Sequence, residues 1–162
     1  MGQYSCQKIT ESHNGLALVT GVSFWVLNFD NCFEKIPEGA RELLLTQCQT
    51  IVKTRRGYHF YFSLCTETSE LESPTHITFD GKTWVEDGQE GGIDIRAKKG
   101  CILAPPTYYK VEKDILRYTW HKGDLSTVAP APKEILNMLG CLERSVVSIN
   151  YRPADCKWKL VS

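Results

Sequence analysis

The chain has 162 residues, 42% of them apolar, and its 19 basic and 19 acidic side chains cancel. That size suits one domain with one hydrophobic core and argues against two. No apolar run nears the ~18 residues of a membrane helix, and zero net charge excludes a global attraction to nucleic acid, so any such contact must come from local patches.

The opening segment, MGQYSCQKITESHNG, has no apolar centre of a secretory signal, and Cys6 stands where a myristoylation signal needs Ser or Thr. An intracellular protein with no membrane partner is expected. The seven cysteines are an odd number, without a C-x-x-C pair or a histidine at finger spacing, which favours reduced, buried thiols over disulfides or a zinc knuckle. Leu16–Val19 and Phe24–Leu27 read as apolar strands, and Thr20-Gly21-Val22-Ser23 between them suits a tight connection, so the two are expected to pair. The second continues into FWVLNFDN. Pro37 then opens PEGARELLLTQCQ, a helix of about three turns with Leu43, Leu44, Gln47 and Cys48 at helical spacing.

Thr50–Lys53 and Tyr58–Leu64 are strand-like, rich in β-branched and aromatic residues, and joined by the basic turn Thr54-Arg55-Arg56-Gly57. The polar run 66–75 reads as loop. Asp80-Gly81, between Ile77–Phe79 and Lys82–Val85, is the strongest hairpin signal in the chain, and 86–92 is expected to be a flexible loop. Strands follow at Ile93–Arg96 and Cys101–Ala104, then the turn Pro105-Pro106-Thr107, a short strand at Arg117–Trp120 and a closing helix at Pro132–Leu139. No internal repeat is visible. Mostly antiparallel strands with two helices define an α+β fold.

Side chains alternate across a strand. Trp25, Leu27 and Phe29 therefore oppose Asn28 and Asp30. Tyr58, Phe60, Phe62 and Leu64 oppose His59, Tyr61 and Ser63, and Ile93 and Ile95 oppose Asp94 and Arg96. If the three strands are neighbours in one sheet, Asn28, Asp30, His59, Asp94 and Arg96 converge. Backbone N–H groups and guanidinium forks of the Arg55-Arg56 turn could then hold phosphate oxygens.

The ordered segments VTGVSFWVLNFDN, VKTRRGYHFYF and GGIDIRAKKGCILAPPT, followed by YTW and the proline-led helix, resemble the bifunctional primase–polymerase domain of the archaeo-eukaryotic primase superfamily from about residue 14 to 142. The resemblance implies an RRM-like sheet with flanking helices and template-directed nucleotidyl transfer from an NTP or dNTP onto a primer, on a single-stranded DNA template. It also implies Mg²⁺ or Mn²⁺, two ions in the family pattern, that activate the attacking hydroxyl and stabilise the leaving pyrophosphate. Carried over by position, Asn28 and Asp30 occupy the first motif and Asp94 the third, as metal-binding catalytic residues. Thr54 and His59 occupy the second and bind the nucleotide, with Arg56 and Arg96 beside them. Lys53, Arg55, Lys98 and Lys99 are further candidate phosphate contacts, and a helicase is a possible partner.

Two departures from the pattern stand out. Asn28 replaces an aspartate, and an amide oxygen ligates a hard cation without supplying charge, so Asp30 and Asp94 are left to hold one ion. Loss of activity, tolerance of weaker metal binding and deliberate substitution each account for Asn28. The segment before the first motif is also shorter than in relatives. A non-catalytic nucleotide- or single-strand-binding module and, less well supported, a metal-dependent nuclease are the alternative functions.

Overall fold

A computed structural model of the chain describes residues 15–85 and 88–140. Residues 1–14, which hold all but Gly15 of the segment read for targeting signals and the first residue of the expected family match, lie outside the described residues, as do Glu86 and Asp87 of the expected loop and the last two residues of that match. Among the described residues no helix is long and apolar enough to cross a membrane.

The centre is a sheet built from β2 (Phe24–Asp30), β3 (Thr50–Lys53), β4 (Gly57–Ser63), β5 (Gly92–Arg96) and β9 (Thr119–Lys122), in the order β5-β2-β4-β3-β9. All of these pairings are antiparallel. β10 (Ala129–Pro130) joins in parallel at Phe62 and Ser63, where β4 extends past its last pairing with β3 at Thr50. Two ribbons stand apart from the sheet: β1 (Leu16–Val19) with β6 (Cys101–Ala104), and β7 (Tyr108–Val111) with β8 (Asp114–Arg117). The helices α1 (Glu38–Gln47) and α2 (Lys133–Met138) complete an α+β architecture. Each follows a proline cap, Pro37 and Pro132, whose preset φ suits a helix start.

The expected alternation holds. Trp25, Leu27, Phe29, Phe60, Phe62, Ile93 and Ile95 face the main core, where Leu44 of α1 and Ile135 and Leu136 of α2 cover them. The opposite face is less polar than its sequence suggested. Phe24, Val26, Val52, Tyr61 and Ile102 form a second apolar cluster there, with Leu18, Tyr118 and Trp120 packed against it. The β1–β6 ribbon supplies Leu18 and Ile102 to that cluster, so only the end of the face bearing Asn28, Asp30 and His59 is left for chemistry.

Three sequence expectations are corrected. β1 and β2 do not pair: β1 aligns residue for residue with β6, from Leu16 against Ala104 to Val19 against Cys101, because both flanks of β2 are taken by β4 and β5. The Asp80-Gly81 hairpin shrinks to one bridge between Phe79 and Lys82. Asp80 and Gly81 do adopt the positive φ angles such a turn needs, 52° and 73°. The flanking backbone is claimed elsewhere, however: the Ile77 N–H donates to Ile93 and that of Asp80 to Met138. Finally, the strand expected at Arg117–Trp120 divides between β8 and β9 at Tyr118, and the β7–β8 hairpin was not anticipated. Of the described cysteines, Cys32 and Cys48 are buried free thiols as expected, whereas Cys101 is exposed.

Candidate functional site

The site is assembled by strand register. Asn28 lies opposite His59 on β4 and opposite Asp94 on β5, so Asp94, Asn28 and His59 form one row across three strands. Asp30, two residues along β2 on the same face, lies opposite Gly57 and Gly92. Glycine is required at this end of β2. A Cβ on Gly57 would sit 1.9 Å from the Phe29 carbonyl oxygen, and one on Gly91, at φ 112°, would sit 2.3 Å from the Asp30 carbonyl oxygen. The spacing of glycine two residues before His59 is thus a packing requirement, which brings the Asp30 backbone close to both neighbours.

The basic turn is a two-residue loop: the Thr54 N–H donates to Gly57 across Arg55 and Arg56, and the Asn31 N–H donates to the Arg56 carbonyl, tying the loop to the end of β2. A cleft of about 170 Å³ opens between this loop and the β7–β8 hairpin, lined by Asn28, Asp30, Thr54, Arg55, Arg56 and His59 and by two tyrosines, Tyr109 and Tyr118. Asp94 and Arg96 stand on the far side of Asn28 from His59 and are not among the lining residues. Lys53 lines a neighbouring cleft, with its ammonium 4.0 Å from the Tyr58 ring centre. Lys98 and Lys99 lie on the turn after β5, where Lys98 pairs with Glu70 at 2.7 Å. Tyr118 belongs to the YTW segment of the resemblance but is given no role there, and Tyr109, on β7, carries no motif. The one available signal was the run of aromatics Tyr108, Tyr109 and Tyr118 around a short polar turn.

The carboxylates of the site are paired. Arg56 grips Asp30 with two parallel bonds, Nε to Oδ1 at 2.8 Å and Nη2 to Oδ2 at 2.6 Å, and its Nη1 reaches Glu90 at 2.9 Å. Arg96 meets Asp94 at 3.1 Å, and the other Asp94 oxygen accepts the His76 backbone N–H at 2.9 Å. Among the described residues, no group of three or more His, Cys, Asp or Glu side chains is gathered so that it could hold a metal ion. Counting the Asn28 amide, the oxygen donors on this face come from three side chains carrying two charges, a set whose charge suits one hard cation better than two.

His59 is 5% exposed, and its Nδ1 is buried without a hydrogen-bond partner among the described residues. The ring lies 5.7 Å from that of Tyr118. Burial, and to a lesser extent the charge of Arg96, push its pKa down to about 4, so the imidazole is neutral at pH 7 and offers one N–H donor and one acceptor. A pKa below the unfolded value near 6.5 means that the unfolded chain binds the proton more readily. Stability from this group is therefore complete above about pH 6.5 and is lost as the pH falls toward 4. The 2.5-unit difference corresponds to about 3 kcal/mol. Denaturant titrations at pH 7 and pH 4 should show wild type losing about that much more stability than His59→Asn; equal losses would place a charged imidazole in the native state.

The described residues thus form an α+β domain with guanidinium groups, a neutral imidazole and paired carboxylates at one end of its central sheet. The chain matches the family described as "Bifunctional DNA primase/polymerase, N-terminal" over residues 6–134. It belongs to that family, and the match begins and ends earlier than the 14–142 expected from the motifs. Comparison with curated proteins finds none that matches. The family implies nucleotide and DNA substrates, and its members are generally dependent on divalent metals.

Proposed function

We propose that this chain is a single catalytic domain for template-directed nucleotidyl transfer, built on an RRM-like sheet and acting as a DNA primase and polymerase. The observation that supports this reading best is that residues from separate motifs, Asn28 and Asp30, Thr54 and His59, line one cleft, with Asp94 adjacent to Asn28 in register.

Asp30 and Asp94, with the Asn28 amide oxygen, would hold one Mg²⁺ or Mn²⁺. Bound there, such an ion lowers the pKa of an attacking hydroxyl and neutralises charge on the transferred phosphoryl group. The chain's own groups do the rest. The Arg55-Arg56 loop, with Thr54, receives the triphosphate through guanidinium forks and a hydroxyl. His59, neutral and with a nitrogen unpartnered among the described residues, supplies a fixed hydrogen bond. Tyr109 and Tyr118 form an aromatic wall opposite the basic loop, suited to the nucleoside by stacking. Arg96, paired with Asp94, positions that carboxylate and does not itself meet the nucleotide. A single-stranded template and the primer end complete the reactants, and strand separation falls to a separate helicase.

A second reading is a nucleotide-binding module of the same fold without turnover, favoured by the missing charge at position 28. Primer extension and de novo synthesis with labelled nucleotides and Mn²⁺, on wild type beside Asn28→Asp, separate the two. Incorporation by wild type supports the transferase, whereas incorporation by Asn28→Asp alone supports a binding module that the amide at position 28 keeps from turnover. If both are folded and neither incorporates, the transferase reading fails, and nucleotide binding that still depends on His59 and Arg56 identifies the binding module.

A further inference from the structure

The two carboxylates offered to a cation are held in different ways. One oxygen of Asp94 accepts a backbone N–H and the other a single guanidinium contact of 3.1 Å. That carboxylate is anchored to the main chain. Both oxygens of Asp30, by contrast, are taken by the fork of Arg56, and no backbone group holds them among the described residues. The third edge of the guanidinium is held by Glu90, which is 85% exposed. The Asp30 and Arg56 side chains keep 31% and 38% of their exposure, so the pair can open without disturbing the core, and exposed pairs of this kind contribute little to folding.

Both members of the pair line the cleft. A cation entering alone gains the full charge of Asp30 only by displacing the fork, which leaves the guanidinium with Glu90 as its sole carboxylate. A triphosphate entering alone must draw Arg56 away, leaving Asp30 a bare anion. Entering together, each replaces what the other removes: the cation neutralises Asp30, and the phosphate oxygens satisfy the fork. We infer that Arg56 is an exchangeable counterion, which covers Asp30 in the empty site and passes to the triphosphate as a cation takes the carboxylate, so that cation and nucleotide bind with positive coupling. This rests on the nucleotidyl-transfer reading and adds to it a positioning role for Arg56, with Glu90 keeping the guanidinium at the cleft mouth during the exchange. The coupling is reciprocal, since each ligand must favour the other by the same factor.

The test is Mn²⁺ binding to the folded chain, followed by electron paramagnetic resonance of the free ion, with and without a deoxynucleoside triphosphate analogue whose α,β-bridging oxygen is replaced by methylene. Without nucleotide, Arg56→Gln is expected to bind Mn²⁺ at least about fivefold tighter than wild type, at the lower end of usual coupling factors. Arg56→Lys is also expected to bind more tightly, because an ammonium keeps the charge but cannot take both oxygens at once. Arg55→Gln, which removes the same charge from the same cleft, should shift far less. The analogue should strengthen Mn²⁺ binding more in wild type than in Arg56→Gln; chelation by its phosphates adds to both alike. Equal shifts in Arg55→Gln and Arg56→Gln, or an unchanged Arg56→Lys, overturn the exchange. Mn²⁺ and analogue binding that ignores Arg56 overturns the exchange alone, whereas a chain that takes up neither in any form overturns the nucleotidyl-transfer reading with it. Arg56→Lys decides the matter if Arg56→Gln fails to fold.

Discussion

Replacing Asn28 by aspartate is expected to make the protein less stable without metal and to raise both its Mn²⁺ affinity and its nucleotide incorporation by about tenfold or more. Asn28 faces Asp94 directly across β2 and β5 and shares a face with Asp30. A third carboxylate in that row puts like charges on cross-strand neighbours, which costs up to about 1 kcal/mol. Arg56 is committed to Asp30 and Glu90 and Arg96 to Asp94, which leaves Arg55, on the same cleft, to offset part of the added charge. A divalent ion reverses the penalty, because cation affinity rises with the number of charged oxygen ligands, and an ion that binds only the native state stabilises it by mass action. Thermal melts in EDTA and in excess Mn²⁺ should therefore diverge more for Asn28→Asp than for wild type, and primer extension should follow the same order. Identical melts in both conditions would show that position 28 faces no cation.

The second large effect is structural. Gly57→Ala should lower stability by about 3 kcal/mol or more, roughly a 10 °C drop in Tm for a chain of this size. The added methyl would overlap the Phe29 carbonyl oxygen at 1.9 Å and approach its carbon at 2.9 Å, and backbone on a central strand cannot turn aside as a flexible side chain could. To make room, the end of β4 must separate from β2 where Asp30 and Gly57 are opposed. That also moves the loop carrying Arg56 and so disturbs the Asp30 pair. Gly39→Ala is the control, because nothing lies within 4 Å of its added Cβ and helix α1 accepts alanine. A Gly57→Ala protein that melts with wild type would mean that the strands are not so closely opposed.

Much of the local structure was readable from periodicity. The apolar alternation in Phe24–Asp30, Gly57–Ser63 and Gly92–Arg96 identified three strands and their core-facing sides, and proline identified both helix starts. The readings that failed share a cause. The Asp80-Gly81 turn has the right local chemistry yet no ladder, because the Ile77 and Asp80 N–H groups donate to the carbonyls of Ile93 and Met138 instead. β1 is a genuine strand whose partner, β6, begins more than 80 residues later. A strand's face is local information, whereas its partner depends on which edges remain open once the rest of the sheet has formed.

The same division runs through the site. By itself the sequence determined the residue types and which side of each strand bears them, since alternation is a property of a single strand; that was enough to single out Asn28, Asp30, His59 and Asp94 and to identify the family. Only the tertiary structure decided that Asp94, Asn28 and His59 form one row, that Tyr109 and Tyr118 wall the cleft and that Arg56 takes both oxygens of Asp30. Each of these depends on register between strands far apart in the chain, and on burial that strips water from His59, neither of which any one segment encodes.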